Sequence, residues 1–203
     1  MRNHWKLFIA ILSINLGLAV SAMAAVEVGQ PAPDFTLTDT SGTSHKLSDS
    51  KGKFVVLEWV NPDCPFVLKH YGSKNMQNLQ AEYTGKGVVW LSINSSAEGK
   101  QGNYSPEEHA RLTKEKGASP TAFLLDPKGD VGHLYGAQTT PHMFIIDPKG
   151  TLIYQGAIDN ISTPDPAAIP TSVNYVRQAL DEALSGKPVS VAATKSYGCS
   201  VKY

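Results

Sequence analysis

Short runs of apolar residues alternate along this chain with polar segments and with stretches of helical periodicity. The runs at residues 54–60, 88–93, 122–125 and 143–146 are rich in β-branched and aromatic side chains, which is typical of buried strands. Residues 151–155 follow an Asp-Pro-x-Gly turn and are predicted to pair back as a hairpin strand. The pattern therefore predicts one sheet built from these strands, with helices between several of them.

Three segments carry the signals of helices. One helix is predicted from Pro65 to beyond Leu79, one from the capping box at Ser105 to near Gly117, and an amphipathic one over residues 173–184. Crossover helices combined with a terminal hairpin indicate an α/β sheet with helices on both faces.

One cysteine stands at the junction between a strand and a helix. Cys64 follows a turn that begins at Asn61, and Pro65 suits the first helical position because proline has no N–H to leave unpaired. A cysteine at a helix N-terminus faces unpaired N–H groups and the positive end of the helix dipole, and both favour the thiolate. The thiolate is the nucleophilic form, so this stretch predicts redox chemistry at Cys64.

The first 24 residues have the pattern of a signal peptide. Two basic residues precede a mostly apolar run at 7–20, and the small-residue motif that ends at Ala24 suits cleavage before Ala25. An uncleaved membrane anchor is the alternative, although the run is shorter than the roughly 20 residues that a membrane span needs. The pattern predicts a periplasmic protein with one mature domain, residues 25–203, and no stable membrane association after cleavage.

The charge pattern excludes some partners. Lys and Arg total 18 and Asp and Glu total 18, so the formal net charge is zero. No basic patch predicts binding to nucleic acid, and no charge run predicts binding to a membrane surface. The cysteines and histidines lack the spacing of a metal-ligand motif, so neither a metal site nor a cofactor is predicted.

The second cysteine, Cys199, lies in a C-terminal tail, residues 186–203, that shows little helix or strand character. A thiolate becomes a sulfenic acid when it meets a peroxide and a mixed disulfide when it meets a disulfide, and either product needs a second thiol. Cys199 is the only resolving thiol that the chain offers to Cys64. The alternative is a structural disulfide that staples the tail to the body. Pairing within one chain or between two chains of a homodimer stays open.

The order of the elements, with Cys64 at the first strand–helix junction and Thr139-Thr140-Pro141 before the strand at 142–147, resembles the thioredoxin superfamily. Within it, the chain is similar to the peroxiredoxin-like branch of exported redoxins, the AhpC/TSA-like proteins. The resemblance implies a thioredoxin-like fold: a central mixed sheet with helices on both faces, an N-terminal extension and a C-terminal tail. It also implies that Pro141 is cis and, with Thr140, packs against the reactive Cys64, which Cys199 resolves.

Departures from these families leave the substrate open. Thioredoxins carry a second cysteine where this chain has Val67, so Cys64 cannot form a vicinal disulfide. Peroxiredoxins carry Pro and Thr or Ser where this chain has Leu57 and Asn61, and an arginine where it has Pro141. The expected function is that of an exported antioxidant that reduces a hydroperoxide and is recycled by an external thiol reductant. The alternatives are a thiol–disulfide oxidoreductase acting on exported proteins and a non-catalytic thioredoxin-fold module with a structural disulfide.

Two polar side chains are candidates to support Cys64. Glu58 lies six positions before it, where thioredoxins carry a buried Asp. A buried carboxylate has a raised pKa and can act as an acid or a base, whereas an exposed strand-edge Glu has neither property. Asn61 is expected to form the turn, and its amide is a candidate hydrogen-bond donor.

Other side chains are assigned by their position in the pattern. Lys69 and His70 are expected at the surface, and Trp59 and Trp90 in the core. His142 follows Pro141 and is expected to approach Cys64, although one cysteine and one histidine make only a weak metal site.

Overall fold

A seven-stranded mixed sheet forms the centre of this computed structural model, which describes residues 26–203. The signal peptide predicted at residues 1–24 and its cleavage site before Ala25 lie outside the described residues. Along the described chain the strands are β1 (Thr36–Asp39), β2 (Ser44–Lys46), β3 (Val55–Trp59), β4 (Val89–Asn94), β5 (Ala122–Leu125), β6 (Thr139–Thr140), β7 (His142–Ile146), β8 (Leu152–Gly156) and β9 (Cys199–Ser200).

The central sheet has the strand order β2-β1-β5-β4-β3-β7-β8. β3 and β4 pair in parallel, as do β4 and β5, whereas β7 runs antiparallel to both β3 and β8. Every residue of β3 is buried, because neighbouring strands and both layers of packing enclose it. The predicted mixed α/β sheet and its terminal hairpin are therefore confirmed.

Five helices follow or connect these strands in the described chain: α1 (Pro65–Gly72), α2 (Asn75–Gly85), α3 (Pro106–Glu115), α4 (Asp130–Tyr135) and α5 (Tyr175–Leu184). Two short 3₁₀ helices span Leu47–Ser50 and Pro166–Thr171. None of the helices within residues 26–203 has the length and apolar character that crossing a membrane requires.

The single helix expected after Pro65 is wrong, because the chain breaks it into α1 and α2. Lys74 lies between them with a φ of 63°, a left-handed conformation that no α-helix continues through. The predicted start of α3 is confirmed at Ser105, whose hydroxyl accepts the Glu108 N–H at 3.2 Å, whereas the Glu108 carboxylate accepts from Arg111 in place of closing the capping box. The sequence pattern did not predict α4, since its six residues are too few to show a period.

Two hydrophobic layers cover the two faces of the sheet. One layer packs α1, α2 and α5 against the side of the sheet that contains Trp90, and the other packs α4 and the N-terminal segment against the side that contains Trp59. Both tryptophans are 0 % exposed, which confirms their assignment to the core. Cys64 belongs to the first layer, so the site is built on the α1 face.

The C-terminal tail has more order than its sequence indicates. β9 pairs antiparallel with β6 in a separate two-stranded sheet, with Thr140 opposite Cys199 and Thr139 opposite Ser200. The final residue, Tyr203, donates from its hydroxyl to the Ala137 carbonyl at 2.7 Å. The tail therefore returns across the molecule and ends beside the body of the fold.

Candidate active site

Cys64 lies between β3 and α1, at the N-cap position of the helix. Its N–H donates to the Asn61 carbonyl at 3.0 Å, which closes the turn, and Pro65 takes the first helical position as predicted. The Cys64 side chain is 0 % exposed, and its Sγ donates to the Thr140 carbonyl at 3.0 Å. The Thr140–Pro141 bond is cis. The structure thus brings Thr140 and Pro141 to Cys64, as the resemblance implied.

The tail brings Cys199 to the same point. Cys199 is the direct partner of Thr140 in the β6–β9 ladder, and the Thr140 carbonyl accepts the Cys64 thiol. Gly198 has a φ of 142°, and a Cβ at this position would overlap the Thr140 carbonyl, so only glycine permits so close an approach. Both cysteines are free thiols, and the two meet within one chain.

The two thiols differ in their readiness to ionise. Burial opposes ionisation of Cys64, but hydrogen bonds from Cys199 and from the Val67 N–H outweigh it and lower the pKa of the Cys64 thiol. Burial and the neighbouring Cys64 raise the pKa of Cys199 to about 11. Cys64 is therefore the thiol of the pair that ionises more readily, and Cys199, which is partly exposed, keeps its proton to higher pH.

Glu58 lies in β3 beneath the α1 layer and is 0 % exposed. Its Oε1 accepts from the Tyr71 hydroxyl at 2.8 Å, and its Oε2 accepts from Trp90 Nε1 at 2.8 Å, from Ser92 Oγ at 3.0 Å and from Gln80 Nε2 at 3.2 Å. Burial raises the pKa of this carboxyl despite these donors. The buried alternative is thus the correct one, although each of these hydrogen bonds joins Glu58 to α1, α2 or β4 and none joins it to a cysteine.

Asn61 shapes the turn rather than facing the thiol. Its Oδ1 accepts the Asp63 N–H at 2.9 Å, and its Nδ2 donates to the Gln101 carbonyl at 3.1 Å. A Cβ on Gly102 would overlap this side chain, so the loop after β4 lies directly against the turn. The amide is engaged on both sides, which confirms the turn-forming interpretation.

Lys69 and His70 are not at the surface, and this prediction is wrong. They are 1 % and 0 % exposed, because the segment after β8 and the C-terminal tail cover this side of α1. Lys69 Nζ donates to Asp159 Oδ2 at 2.9 Å, to the Ile161 carbonyl at 2.6 Å and to the Tyr197 hydroxyl at 3.1 Å. The sequence pattern pointed to neither Asp159 nor Tyr197, although Tyr197 stands only two positions before Cys199.

The expected approach of His142 to Cys64 is also wrong. Alternate residues of β7 face opposite sides of the sheet, and Met143 belongs to the Cys64 layer whereas Phe144 belongs to the other. The His142 ring lies tilted by 37° against the Phe144 ring, with 4.5 Å between the ring centroids, and accepts the Gln138 N–H at its Nδ1. Within residues 26–203 no group of three or more His, Cys, Asp or Glu side chains is placed to hold a metal ion.

The chemistry that this arrangement supports is sulfur exchange. Cys64 offers a thiol of lowered pKa at a helix N-terminus, and Cys199 lies close enough to share hydrogen bonds with it. A substrate sulfur or oxygen transferred to Cys64 would therefore meet a second thiol of the same chain.

Comparisons with known proteins agree with this chemistry. A family model described as the AhpC/TSA family matches residues 28–155, which include Cys64 but not Cys199. The chain is 34% identical over 119 residues to the thiol-disulfide oxidoreductase ResA of Geobacillus kaustophilus (strain HTA426), a match covering 53% of this chain and 68% of the relative.

Two solved structures extend the comparison. An uncharacterized conserved protein from Geobacillus kaustophilus shares 31% identity with a TM-score of 0.73, covering 87% of this chain and 92% of the other. A putative thiol:disulfide interchange protein DsbE from Chlorobium tepidum shares 28% identity with a TM-score of 0.53, covering 64% of this chain and 85% of the other.

Proposed function

We propose a function from one premise, which is that the chain belongs to the AhpC/TSA family. The protein is a thiol–disulfide oxidoreductase whose redox pair is Cys64 and Cys199. The observation that carries this proposal is the meeting of the two thiols at Thr140, one with a lowered pKa and one with a raised pKa. Similarity to ResA and to the DsbE-like structure supports a disulfide as the substrate, in place of the hydroperoxide expected first.

The exchange proceeds in two steps. The Cys64 thiolate attacks one sulfur of the substrate disulfide, forms a mixed disulfide and releases the other substrate sulfur as a thiolate, which takes up a proton. Cys199 then loses its proton and attacks the Cys64 sulfur, which forms the Cys64–Cys199 disulfide and releases the second substrate thiolate. The substrate gains two electrons, and an external dithiol reductant returns them to the protein.

The test measures the formation of the Cys64–Cys199 disulfide and the rate at which the protein reduces a substrate disulfide. Reduced protein is equilibrated with glutathione redox buffers and alkylated, and its intact mass is measured. In a second assay, the rate at which the protein reduces the disulfides of insulin is measured with dithiothreitol as the reductant. We expect the native chain to lose two thiols together, and the Cys199→Ser variant to accumulate a mixed disulfide on Cys64. A native protein that reduces insulin no faster than dithiothreitol alone would contradict the proposal.

Peroxide reduction is a second candidate, and the complete burial of Cys64 favours it. A small oxidant reaches a buried sulfur more readily than a protein disulfide does. Attack on hydrogen peroxide would give a Cys64 sulfenic acid and hydroxide, and Cys199 would condense with the sulfenic acid to form the disulfide and water. One observation argues against this candidate. The arginines in the described part of the chain, Arg111 and Arg177, pair with glutamates on the helices and do not support the thiol.

One equivalent of hydrogen peroxide separates the two candidates. Fast loss of both thiols, with a sulfenic acid trapped on Cys64 in Cys199→Ser, would support the peroxidase. Loss no faster than that of an ordinary exposed thiol would leave disulfide exchange as the function.

We also propose that the protein works in the periplasm, after cleavage before Ala25. The basic, apolar and small-residue order of residues 1–24 supports this location. Cell fractionation combined with the mass of the purified protein tests it. Intact protein retained in the cytoplasmic fraction would contradict it.

A further inference from the structure

We propose that Tyr197, anchored by Lys69 and Asp159, is a positioning residue that sets how readily Cys199 reaches Cys64. The inference rests on the proposed redox pair and concerns how the chain holds its two sulfurs together. Tyr197 touches neither sulfur in the hydrogen-bond network, so it acts through the tail that carries Cys199.

The anchor joins the tail to the helix that begins at Cys64. The Tyr197 hydroxyl donates to Asp159 Oδ1 and accepts from Lys69 Nζ at 3.1 Å. Lys69 belongs to α1, and Phe66 of the same helix contacts the Tyr197 ring edge-on, with 5.8 Å between the ring centroids. The tail is thereby fixed to α1 at both the ring and the hydroxyl of Tyr197.

The Tyr197 hydroxyl is held by a buried ion pair, Lys69 and Asp159. The Lys69 and Asp159 side chains are both 0 % exposed, and each needs the other because an unpaired buried charge is strongly unfavourable. Burial lowers the pKa of His70 to about 4, so that ring is neutral, and its Nε2 lies 3.3 Å from the Tyr197 hydroxyl. Burial and Asp159 raise the pKa of Tyr197, so the phenol keeps its proton and remains a donor.

The position of Tyr197 along the tail connects the anchor to Cys199. Gly198 is the one residue between them, and it lies against the Thr140 carbonyl. Beyond it, the two-residue ladder of β9 with β6, the Val201 N–H on the Gln138 carbonyl and the Tyr203 hydroxyl on the Ala137 carbonyl hold the tail after Cys199, so Tyr197 is its anchor on the N-terminal side. A fixed Tyr197 therefore restricts the positions available to Cys199 and raises its effective concentration at Cys64.

The consequence is a measurable shift in the dithiol–disulfide equilibrium. Tyr197→Phe keeps the ring contact with Phe66 and removes both hydrogen bonds of the hydroxyl to charged groups. We expect the equilibrium constant for Cys64–Cys199 disulfide formation against glutathione to fall by about tenfold or more, the scale of a lost hydrogen bond to a charged group. Cys199 of the reduced variant should also react faster with iodoacetamide than Cys199 of the native chain.

Tyr83→Phe is the matched control. The Tyr83 hydroxyl donates to Asp181 Oδ1 at 2.8 Å, which is also a tyrosine–aspartate bond but joins α2 to α5 away from the tail. Tyr83→Phe should lose less stability in urea unfolding, because the Asp181 side chain is 52% exposed whereas Asp159 is fully buried, and only Tyr197→Phe should change the disulfide equilibrium. Asp159→Asn, which keeps the size of the side chain, should shift the equilibrium in the same direction.

The outcomes separate the two proposals. If the native chain forms no Cys64–Cys199 disulfide in any glutathione buffer, the redox pair itself is wrong and the positioning role falls with it. If the native disulfide forms and Tyr197→Phe matches Tyr83→Phe in equilibrium constant and alkylation rate, the positioning role alone is overturned.

Discussion

Replacing Glu58 by leucine should destabilise the fold by several kcal/mol, whereas replacing it by glutamine should have a much smaller effect. The carboxylate is fully buried and accepts hydrogen bonds from Tyr71, Gln80, Trp90 and Ser92. Leucine removes the acceptor and leaves its donors in place, which is the costly way to break a buried hydrogen bond.

The loss of unfolding free energy in Glu58→Leu depends on how many of these donors have no other acceptor in the network. The Ser92 hydroxyl can rotate, and Gln80 Nε2 still donates to the Tyr71 hydroxyl at 3.1 Å. The Trp90 indole N–H and the Tyr71 O–H remain unpaired. At about 1–3 kcal/mol for each buried unsatisfied group, Glu58→Leu should lower the free energy of unfolding by roughly 2–6 kcal/mol. Glu58→Gln keeps one acceptor oxygen and should lower it by about 1 kcal/mol.

The same pair of variants isolates the ionisation of Glu58. Its pKa is raised above the ordinary value of 4.5, so the folded protein still binds this proton at pH values where the unfolded chain has released it. Its contribution to stability is therefore complete below pH 4.5 and declines as the pH rises toward the folded pKa, by up to about 1.4 kcal/mol per pH unit. Glutamine has no such dependence.

Urea unfolding of the native protein, Glu58→Gln and Glu58→Leu across pH 4.5 to 8 provides the assay, in the range set by the ordinary pKa of Glu58. The stability advantage of the native protein over Glu58→Gln should shrink as the pH rises. A constant difference across that range would refute the ionisation argument. A Glu58→Leu variant as stable as the native protein would refute the hydrogen-bond argument.

Three further predictions concern the thiols, the tail and the buried histidines. Cys199→Ala should raise the pKa of Cys64, since Cys199 supplies the largest of the hydrogen-bond effects that lower it, and the pH midpoint of Cys64 alkylation measures this; an unchanged midpoint contradicts it. Gly198→Ala should cost about 1–3 kcal/mol and weaken Cys64–Cys199 disulfide formation, because its φ of 142° and the adjacent Thr140 carbonyl exclude a Cβ, and an unchanged glutathione equilibrium argues against this. Burial lowers the pKa of His109 and of His142 to about 4, so their contribution to stability should disappear as the pH falls from about 6.5 to 4. Replacing either ring by phenylalanine should reduce this acid sensitivity in urea unfolding, and equal sensitivity would count against it.

The elements around Cys64 could be predicted because their signals are local. The apolar run of β3, the turn at Asn61 and the proline after Cys64 stand next to one another in the sequence. Each signal acts through the backbone of its own segment, so no knowledge of distant contacts was needed. The same local rule of alternation along β7 would have placed His142 on the face away from Cys64.

The anchor of the tail could not be predicted, because its contacts are remote in sequence. Lys69 is 90 positions from Asp159 and 128 from Tyr197, and no periodicity joins them. A lysine on a short helix is normally exposed, and only the return of the chain over α1 buries this one. The break between α1 and α2 at Lys74 could not be predicted either, because no feature of the sequence indicates a lysine with a left-handed backbone conformation.

Because Cys64 is buried, the position of the C-terminal tail determines which substrates can reach its sulfur. Hydrogen peroxide needs room for two oxygen atoms beside the sulfur, which a small fluctuation can provide, whereas a protein disulfide needs the tail to leave the Thr140 ladder. Cys199 must then return to resolve the mixed disulfide, so opening favours the first step of exchange and hinders the second. Loosening the anchor at Tyr197 should therefore speed attack of Cys64 on a protein disulfide and slow release of the product, while the reaction with peroxide should show only the slower resolution. These opposite effects on the two steps follow from the placement of a buried thiol, its pKa lowered, beneath the strand that carries its partner.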